Sequence, residues 1–219
     1  MSIYGISFKN NPEQQELIRL IMENNRQIIF CTGNAGTGKT FASIAAALHL
    51  QAEKKYRKIF YARNPVQVGH DMGFLPGGID EKYSPFMAPL YDNLDSIAAI
   101  SANKPNPKNM AAQIEVVPIA FMRGRNFDDA IVIIDEAQNL TANDLRTIMT
   151  RMGKFSKLIL LGSMNQIDNQ QMKRQHKCDF QKVMEAFVDK PYCGYVTLTQ
   201  SMRSPICVDI DETFNTLEK

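Results

Sequence analysis

The chain has 219 residues, 44% of them hydrophobic and 22% charged, with 25 basic against 23 acidic side chains. That length holds one domain with a sizeable core, and the apolar fraction excludes a disordered chain. Twelve glycines and ten prolines are too few for a collagen-like sequence, and a net charge of +2 by itself announces neither a nucleic-acid nor a membrane partner.

In chain order, Asn11 before Pro12 marks a helix start, and a helix is predicted over Pro12–Asn24. A strand follows at Gln27–Cys31, then a helix at Gly38–Ala52 and a strand at Lys58–Tyr61. Asn64 to Gly78 contains Pro65, Gly69, Gly73, Pro76, Gly77 and Gly78, and reads as an ordered functional loop. Ser101 to Asn109 (SANKPNPKN) reads as a flexible surface excursion. Strands are predicted at Ile114–Val117 and Ile131–Ile134, and a Thr141-capped helix runs to Met152. A strand at Leu158–Leu161, a helix at Phe180–Val188, a strand at Tyr195–Leu198 and a helix from Pro205 complete the series. The strands are apolar throughout rather than alternating, which suits parallel strands covered on both faces. The expected fold is therefore α/β, a mostly parallel sheet flanked by helices, in a single domain over residues 1–219.

Cys31, Cys178, Cys193 and Cys207 show no C-x-x-C spacing, so free thiols in a reducing compartment are expected. The N-terminal MSIYGISFKNNPEQQ lacks the pattern of a signal peptide, and no apolar run approaches the ~20 residues of a membrane span. A cytoplasmic protein without a membrane partner is the expectation.

Chemistry concentrates first at GNAGTGKT, Gly33 to Thr40, a full G-x-x-x-x-G-K-[ST] match. Gly33, Asn34, Ala35, Gly36, Thr37 and Gly38 would turn backbone N–H groups onto phosphate oxygens, and Lys39 would reach the β- and γ-phosphates. Thr40 would offer its hydroxyl to Mg²⁺, and Phe41 continues into a helix whose positive end faces the anion. The preceding apolar strand and the following FASIAAALHL helix are the context this motif requires.

The strand Ile131–Ile134 runs into Asp135-Glu136-Ala137-Gln138. Asp135 is read as a second Mg²⁺ holder and Glu136 as the general base that polarises an attacking water. Such a base suits hydrolysis of ATP rather than transfer to a small acceptor, which lowers a metabolite-kinase reading. Gln166, after the strand Leu158–Leu161, is placed to report a γ-phosphate. Arg203 is read as an arginine finger, in its own site or a neighbour's, against a surface salt-bridge role.

These stretches, with YARNPV, GFLPGG followed by EKYSPFMAPLYDNL, IEVVPIAFMRGRNFDDAIVIIDEAQN, TRMGKFSKLILLGSMNQID and MRSP, occur in the order seen in PhoH-like ATPases. The chain resembles that phosphate-starvation-inducible family from about Asn11 to Pro205, and by its size a compact, phage-type member. The resemblance implies a P-loop NTPase core similar to the first RecA-like domain of superfamily 1 helicases. It also implies Gln14, with Gln15 as the neighbouring alternative, on the adenine edge, and Gln138 and Gln166 as γ-phosphate sensors. Arg63, Arg123 and Arg125 are then trans-acting arginines, contacts to a bound strand, or structural ion-pair partners. The family usually has aspartate where this chain has Ser163, so slower hydrolysis with intact nucleotide binding is expected.

Two functional expectations follow. One is a homo-oligomeric ATPase, with a hexameric ring favoured, that acts on RNA or single-stranded DNA, a second copy supplying the other wall of each nucleotide site. Basic clusters at Lys54–Lys58 and Lys173–Lys177 are read mainly as solvated helix ends and turns, so nucleic-acid binding rests on the resemblance. The other is a nucleotide-dependent switch or protein-binding module with little turnover.

Overall fold

The computed structural model describes residues 1–64, 79–164 and 178–217. Most of the loop read over Asn64 to Gly78, Gln166 and the cluster Lys173–Lys177 lie outside the described residues.

The chain starts with a tight hairpin, β1 (Ser2–Ile3) and β2 (Ile6–Ser7), turned by Tyr4 and Gly5, both at positive φ. Helix α1 (Pro12–Met22) starts where expected, because the Asn11 side chain accepts from the Gln14 N–H and Pro12 needs no donor there. Then follow β3 (Ile28–Gly33), α2 (Lys39–Ala52) and β4 (Lys58–Arg63). A long helix α3 (Ile79–Ile100), a short α4 (Pro107–Ala111) and β5 (Ile114–Val116) come next. The second half holds β6 (Ala130–Asp135), α5 (Ala142–Met149), β7 (Lys157–Gly162), α6 (Asp179–Ala186), β8 (Cys193–Leu198) and α7 (Pro205–Leu217).

The main sheet has the order β5-β4-β6-β7-β3-β8, and every pairing in it is parallel. Parallel strands need crossovers on the faces, so the central strands β6, β7 and β3 are buried on both sides as expected, while the edge strands β5 and β8 expose Glu115 and Thr197. Successive residues separate cleanly. Ile29, Cys31, Ile131, Ile133, Ile159 and Leu161 pack toward α1, α2 and α3. Phe30, Val132, Ile134, Leu158 and Leu160 pack with Leu145 of α5 and Phe180 of α6 on the other face. Phe30 stacks on Tyr195 of the edge strand, centroids 5.3 Å apart and planes within 2°. The expected α/β, RecA-like arrangement is the one observed: β3, which feeds the phosphate loop, is separated from the acidic strand β6 by β7 alone.

Two segments differ from expectation. No helix was predicted over α3; Met87, Leu90, Leu94 and Ile97 form its buried stripe, while Pro85 and Pro89 interrupt the local signal. The stretch read as a flexible excursion is anchored instead. Fully buried Ser101 donates to the Tyr4 carbonyl at 2.8 Å, Ala102 N–H donates to the Gly5 carbonyl, and Asn106 caps α4. All four cysteines are free thiols, and only Cys207 is exposed.

Lys157 opens β7 with a fully buried side chain whose ammonium donates to the Glu23 carbonyl at 2.7 Å and to that of Arg26, at the negative end of α1. Burial pushes this ammonium down to about 8. Above that pH the folded chain gives up a proton the unfolded chain still binds, so stability from this site rises with pH up to the unfolded value. Between pH 7.5 and 9.5, urea unfolding should show wild type gaining about 2 kcal/mol relative to Lys157→Met. A constant difference between the two proteins would refute it.

Candidate functional site

The carboxyl ends of β3, β6 and β7 converge on a cleft of about 330 Å³. It is lined by Ala35, Gly36, Gly38, Lys39, Thr40 and Phe41 of the phosphate loop and α2, and by Asp135 and Glu136 after β6. Arg63, Leu161, Gly162, Ser163, Arg203 and, from α3, Pro89 and Asn93 complete it. The sheet therefore brings together the two motifs that are about a hundred residues apart in the chain.

The phosphate loop is shaped by backbone geometry. Gly33 has φ 148°, and a Cβ there would lie 2.2 Å from the Leu198 carbonyl oxygen. Gly36 has φ 75°, and its missing Cβ leaves room for the Arg203 side chain; the Met202 N–H donates to the Gly36 carbonyl at 2.8 Å. Lys39 donates to the carbonyls of Gly33 at 2.7 Å and Asn34 at 2.8 Å, which holds its ammonium across the loop. Burial pushes that ammonium below its usual range, against the pull of nearby acidic groups that include Asp135 and Glu136. The Thr37 hydroxyl donates to the Asn34 carbonyl at 2.9 Å.

Asp135 is 5% exposed. Its carboxylate accepts from the Tyr61 hydroxyl at 2.7 Å and from the Thr40 hydroxyl, 3.2 Å from each oxygen. Burial, and then the charge of Glu136, raise its pKa, with the Tyr61 hydrogen bond opposing. A buried carboxylate beside a second acid favours a cation at its open side. A hydroxyl and a carboxylate are hard oxygen donors, and the described residues contain no cluster of three or more His, Cys, Asp or Glu. That is the donor set for Mg²⁺ held partly by substrate phosphates, not for an all-protein metal cage.

Glu136 sits in the left-handed region at φ 57°, ψ 40°. One oxygen accepts from the Gln138 side-chain amide at 2.6 Å, and the other pairs with Arg63 at 3.3 Å. Gln138 is fully buried and its own oxygen accepts from the Ser163 N–H at 3.0 Å. It thus stands behind the cleft and touches Glu136 and the end of β7 at once. The Ser163 hydroxyl is buried and has no hydrogen-bond partner among the described residues, though the residue lines the cleft. An orphaned donor in that position fits a phosphate or its hydration.

The other foreseen residues fall in distinct places. Gln14 is buried and its side-chain amide donates to the Thr37 carbonyl at 3.0 Å, against the phosphate loop, whereas Gln15 donates to the Lys9 carbonyl away from it. Arg125 does not reach the cleft: it pairs with Glu115 at 2.8 Å and lies over the rings of Phe60 and Phe127. Arg123 lines a second cleft of about 320 Å³ with Asn64, Leu140 and Thr147. Glu13 escaped the sequence reading; its carboxylate accepts from Thr199 and Gln200 N–H groups and so ties the β8–α7 connection to α1. The roles of Tyr61, Pro89 and Asn93 were also not foreseen.

The fold and this cleft define a P-loop protein, with a glycine-rich phosphate loop facing the acidic end of β6. The family model described as "PhoH-like protein" matches residues 6–215, and the chain belongs to that family. It is 38% identical over 208 residues to "Protein PhoH2" of Bacillus subtilis, covering 92% of this chain and 46% of that protein. It is 35% identical over 199 residues to "Protein PhoH" of Escherichia coli K12, covering 90% of this chain and 55% of that protein. The chain thus spans about half the length of these relatives. Among solved structures, the Pif1 helicase from Candida albicans aligns at 16% identity with a TM-score of 0.47, over 97% of this chain and 44% of that one. No described helix is long and apolar enough to cross a membrane.

The two loop glycines differ in what a methyl group would strike. Gly33→Ala meets a backbone carbonyl and should cost about 2–4 kcal/mol, whereas Gly36→Ala meets a side chain that can move and should cost about 1–2 kcal/mol. Thermal unfolding of both variants ranks them, and equal melting temperatures would contradict the assignment.

Proposed function

We propose that the chain binds ATP and hydrolyses it with Mg²⁺, and that it does so as a homo-oligomer working on RNA or single-stranded DNA in the cytoplasm. The observation that carries hydrolysis is the entry of Glu136 into the same cleft as Lys39 and Thr40. A phosphate-binding loop alone would serve a binding module; a carboxylate held over it by Gln138 supplies a base.

In this reading Gly33 to Thr40 cradle the phosphates and Gln14 lies toward the base. Thr40 and Asp135 would hold Mg²⁺, which supplies neutralising charge for the phosphates. Water oriented by Glu136 attacks the γ-phosphorus and gives its proton to that carboxylate. The bond from the γ-phosphorus to the bridging oxygen breaks, and ADP leaves with that electron pair. Lys39 offsets the charge that develops, and Arg203, packed on Gly36, is the described arginine nearest the loop for the same task. Ser163 contributes a hydroxyl where the family resemblance implies a carboxylate, which favours slow turnover. The resemblance and the second cleft beside Arg123 support a strand as substrate and a neighbouring copy as the second wall. Head-to-tail contacts of that kind close into rings, with a hexamer favoured.

Mg²⁺-dependent release of phosphate from ATP should be lost in Lys39→Ala together with nucleotide affinity. Glu136→Gln should keep affinity and lose about 10²–10⁴-fold in kcat. Wild-type turnover no higher than that of Glu136→Gln would favour the switch reading instead. Light-scattering mass with and without ATP and RNA should reveal the oligomer, and affinity for a single-stranded RNA should fall steeply with salt. A monomer under all conditions, or no RNA binding at low salt, would remove the corresponding part of the proposal.

A further inference from the structure

We infer that Arg63 is a positioning residue that acts through Glu136: its guanidinium exchanges between that carboxylate and a phosphate of the bound strand, so that strand binding releases the base. The inference rests on the proposed function and adds the coupling between the strand and the nucleotide site.

Arg63 is the last residue of β4 and pairs in register with Asp135 of β6, which brings its side chain to the base from the flank away from the phosphate loop. Its guanidinium meets Glu136 at 3.3 Å, both side chains being only about a quarter exposed. The Glu136 carboxylate is therefore held at both ends, by Gln138 on one oxygen and Arg63 on the other. The two holders differ. Gln138 is neutral, fully buried and anchored on the Ser163 N–H, so it fixes orientation. Arg63 is charged and borders solvent, and it takes up a lone pair that a water would need in order to hand over its proton.

The next residue links this pair to a different surface. The Asn64 amide donates to the Asn139 carbonyl at 2.9 Å and lines the second cleft, whose charged side chains are Arg123 and Asp144, the latter taken up by the Thr141 cap of α5. The half-exposed Phe121 stands on the turn before Arg123 and offers a face for stacking. Arg63 lines the nucleotide cleft and the next residue, Asn64, the second one, so in this inference a phosphodiester entering the second cleft meets Arg63 at the boundary between them, and a planar guanidinium prefers a bidentate phosphate to a single long contact with a carboxylate. Each partner of Arg63 then weakens the other by the same factor, because coupling between two binding events is reciprocal.

Reciprocity gives a readout that does not need turnover. Anisotropy of a fluorescein-labelled single-stranded RNA, without nucleotide and at low salt, is measured with wild type, Glu136→Gln, Arg63→Ala, the double variant and Arg63→Lys. Removing the carboxylate charge should tighten RNA binding about two- to fivefold, the range expected for a partly buried ion pair. Arg63→Ala should weaken binding and abolish the gain from Glu136→Gln, while Arg63→Lys retains part of it. In turnover assays Arg63→Ala should raise hydrolysis without RNA and flatten stimulation by RNA. Unchanged or weaker binding in Glu136→Gln overturns the exchange, as does a gain that persists without Arg63 or a fall in RNA-free turnover of Arg63→Ala. Failure of wild type itself to bind RNA is a different result: it refutes the strand reading, and the exchange with it.

Discussion

The buried carboxylate of Asp135 is the constraint on which the rest of the site depends. A charge in so dry a place is tolerated only with partners, and it has the hydroxyls of Tyr61 and Thr40 together with the Glu136 N–H. Tyr61 belongs to β4, Thr40 to the first turn of α2, and Asp135 to β6, so one side chain ties three elements together. The sheet sets the scale. With β7 between them, β3 and β6 lie two strand spacings apart, roughly 10 Å, which leaves the width of a phosphate chain and its cation between loop and acid. Neither motif alone produces that gap; the order of the strands does.

What was legible in the sequence was what is local or periodic. The central strands of the main sheet are legible because burial on both faces leaves an almost unbroken apolar run, whereas the edge strands β5 and β8 keep the exposed Glu115 and Thr197 and are marked by β-branched and aromatic residues instead. The phosphate loop was found because backbone approach to phosphate demands glycine at fixed spacing. Helix α3 was hidden because Pro85 and Pro89 break the propensity signal, although Met87, Leu90, Leu94 and Ile97 repeat at helical spacing and bury against the core. Tyr61 was readable as a strand residue but not as a partner of Asp135, since the hydroxyl gains its role only when β4 lies beside β6. The three arginines look alike in sequence; contact with the rings of Phe60 and Phe127 and the pair with Glu115 separate Arg125 from Arg63, which reaches Glu136.

Gln138 shows the same limit from the other side. The family resemblance implies a γ-phosphate sensor at this position. Its complete burial and its bonds to Glu136 and Ser163 mean that any such sensing runs through those two residues. Gly162 is part of this arrangement, because a Cβ there would press on the Phe180 ring and crowd the Gln138 oxygen. The end of β7 is thereby coupled to Glu136 by packing as well as by hydrogen bonds.

The backbone at Glu136 completes the logic. Along a strand successive side chains point to opposite faces, so a plain continuation of β6 would send Glu136 away from Asp135. The left-handed conformation of Glu136 breaks that alternation, and both carboxylates line one cleft. A residue with a Cβ pays about 1–2 kcal/mol for this geometry, and glycine would adopt it without strain. Glycine, however, would leave Gln138 and Arg63 with no carboxylate to hold. The strain at this position is thus explained by the side chain it carries, and a turn whose task was only to reverse the chain toward α5 would have no reason to keep it.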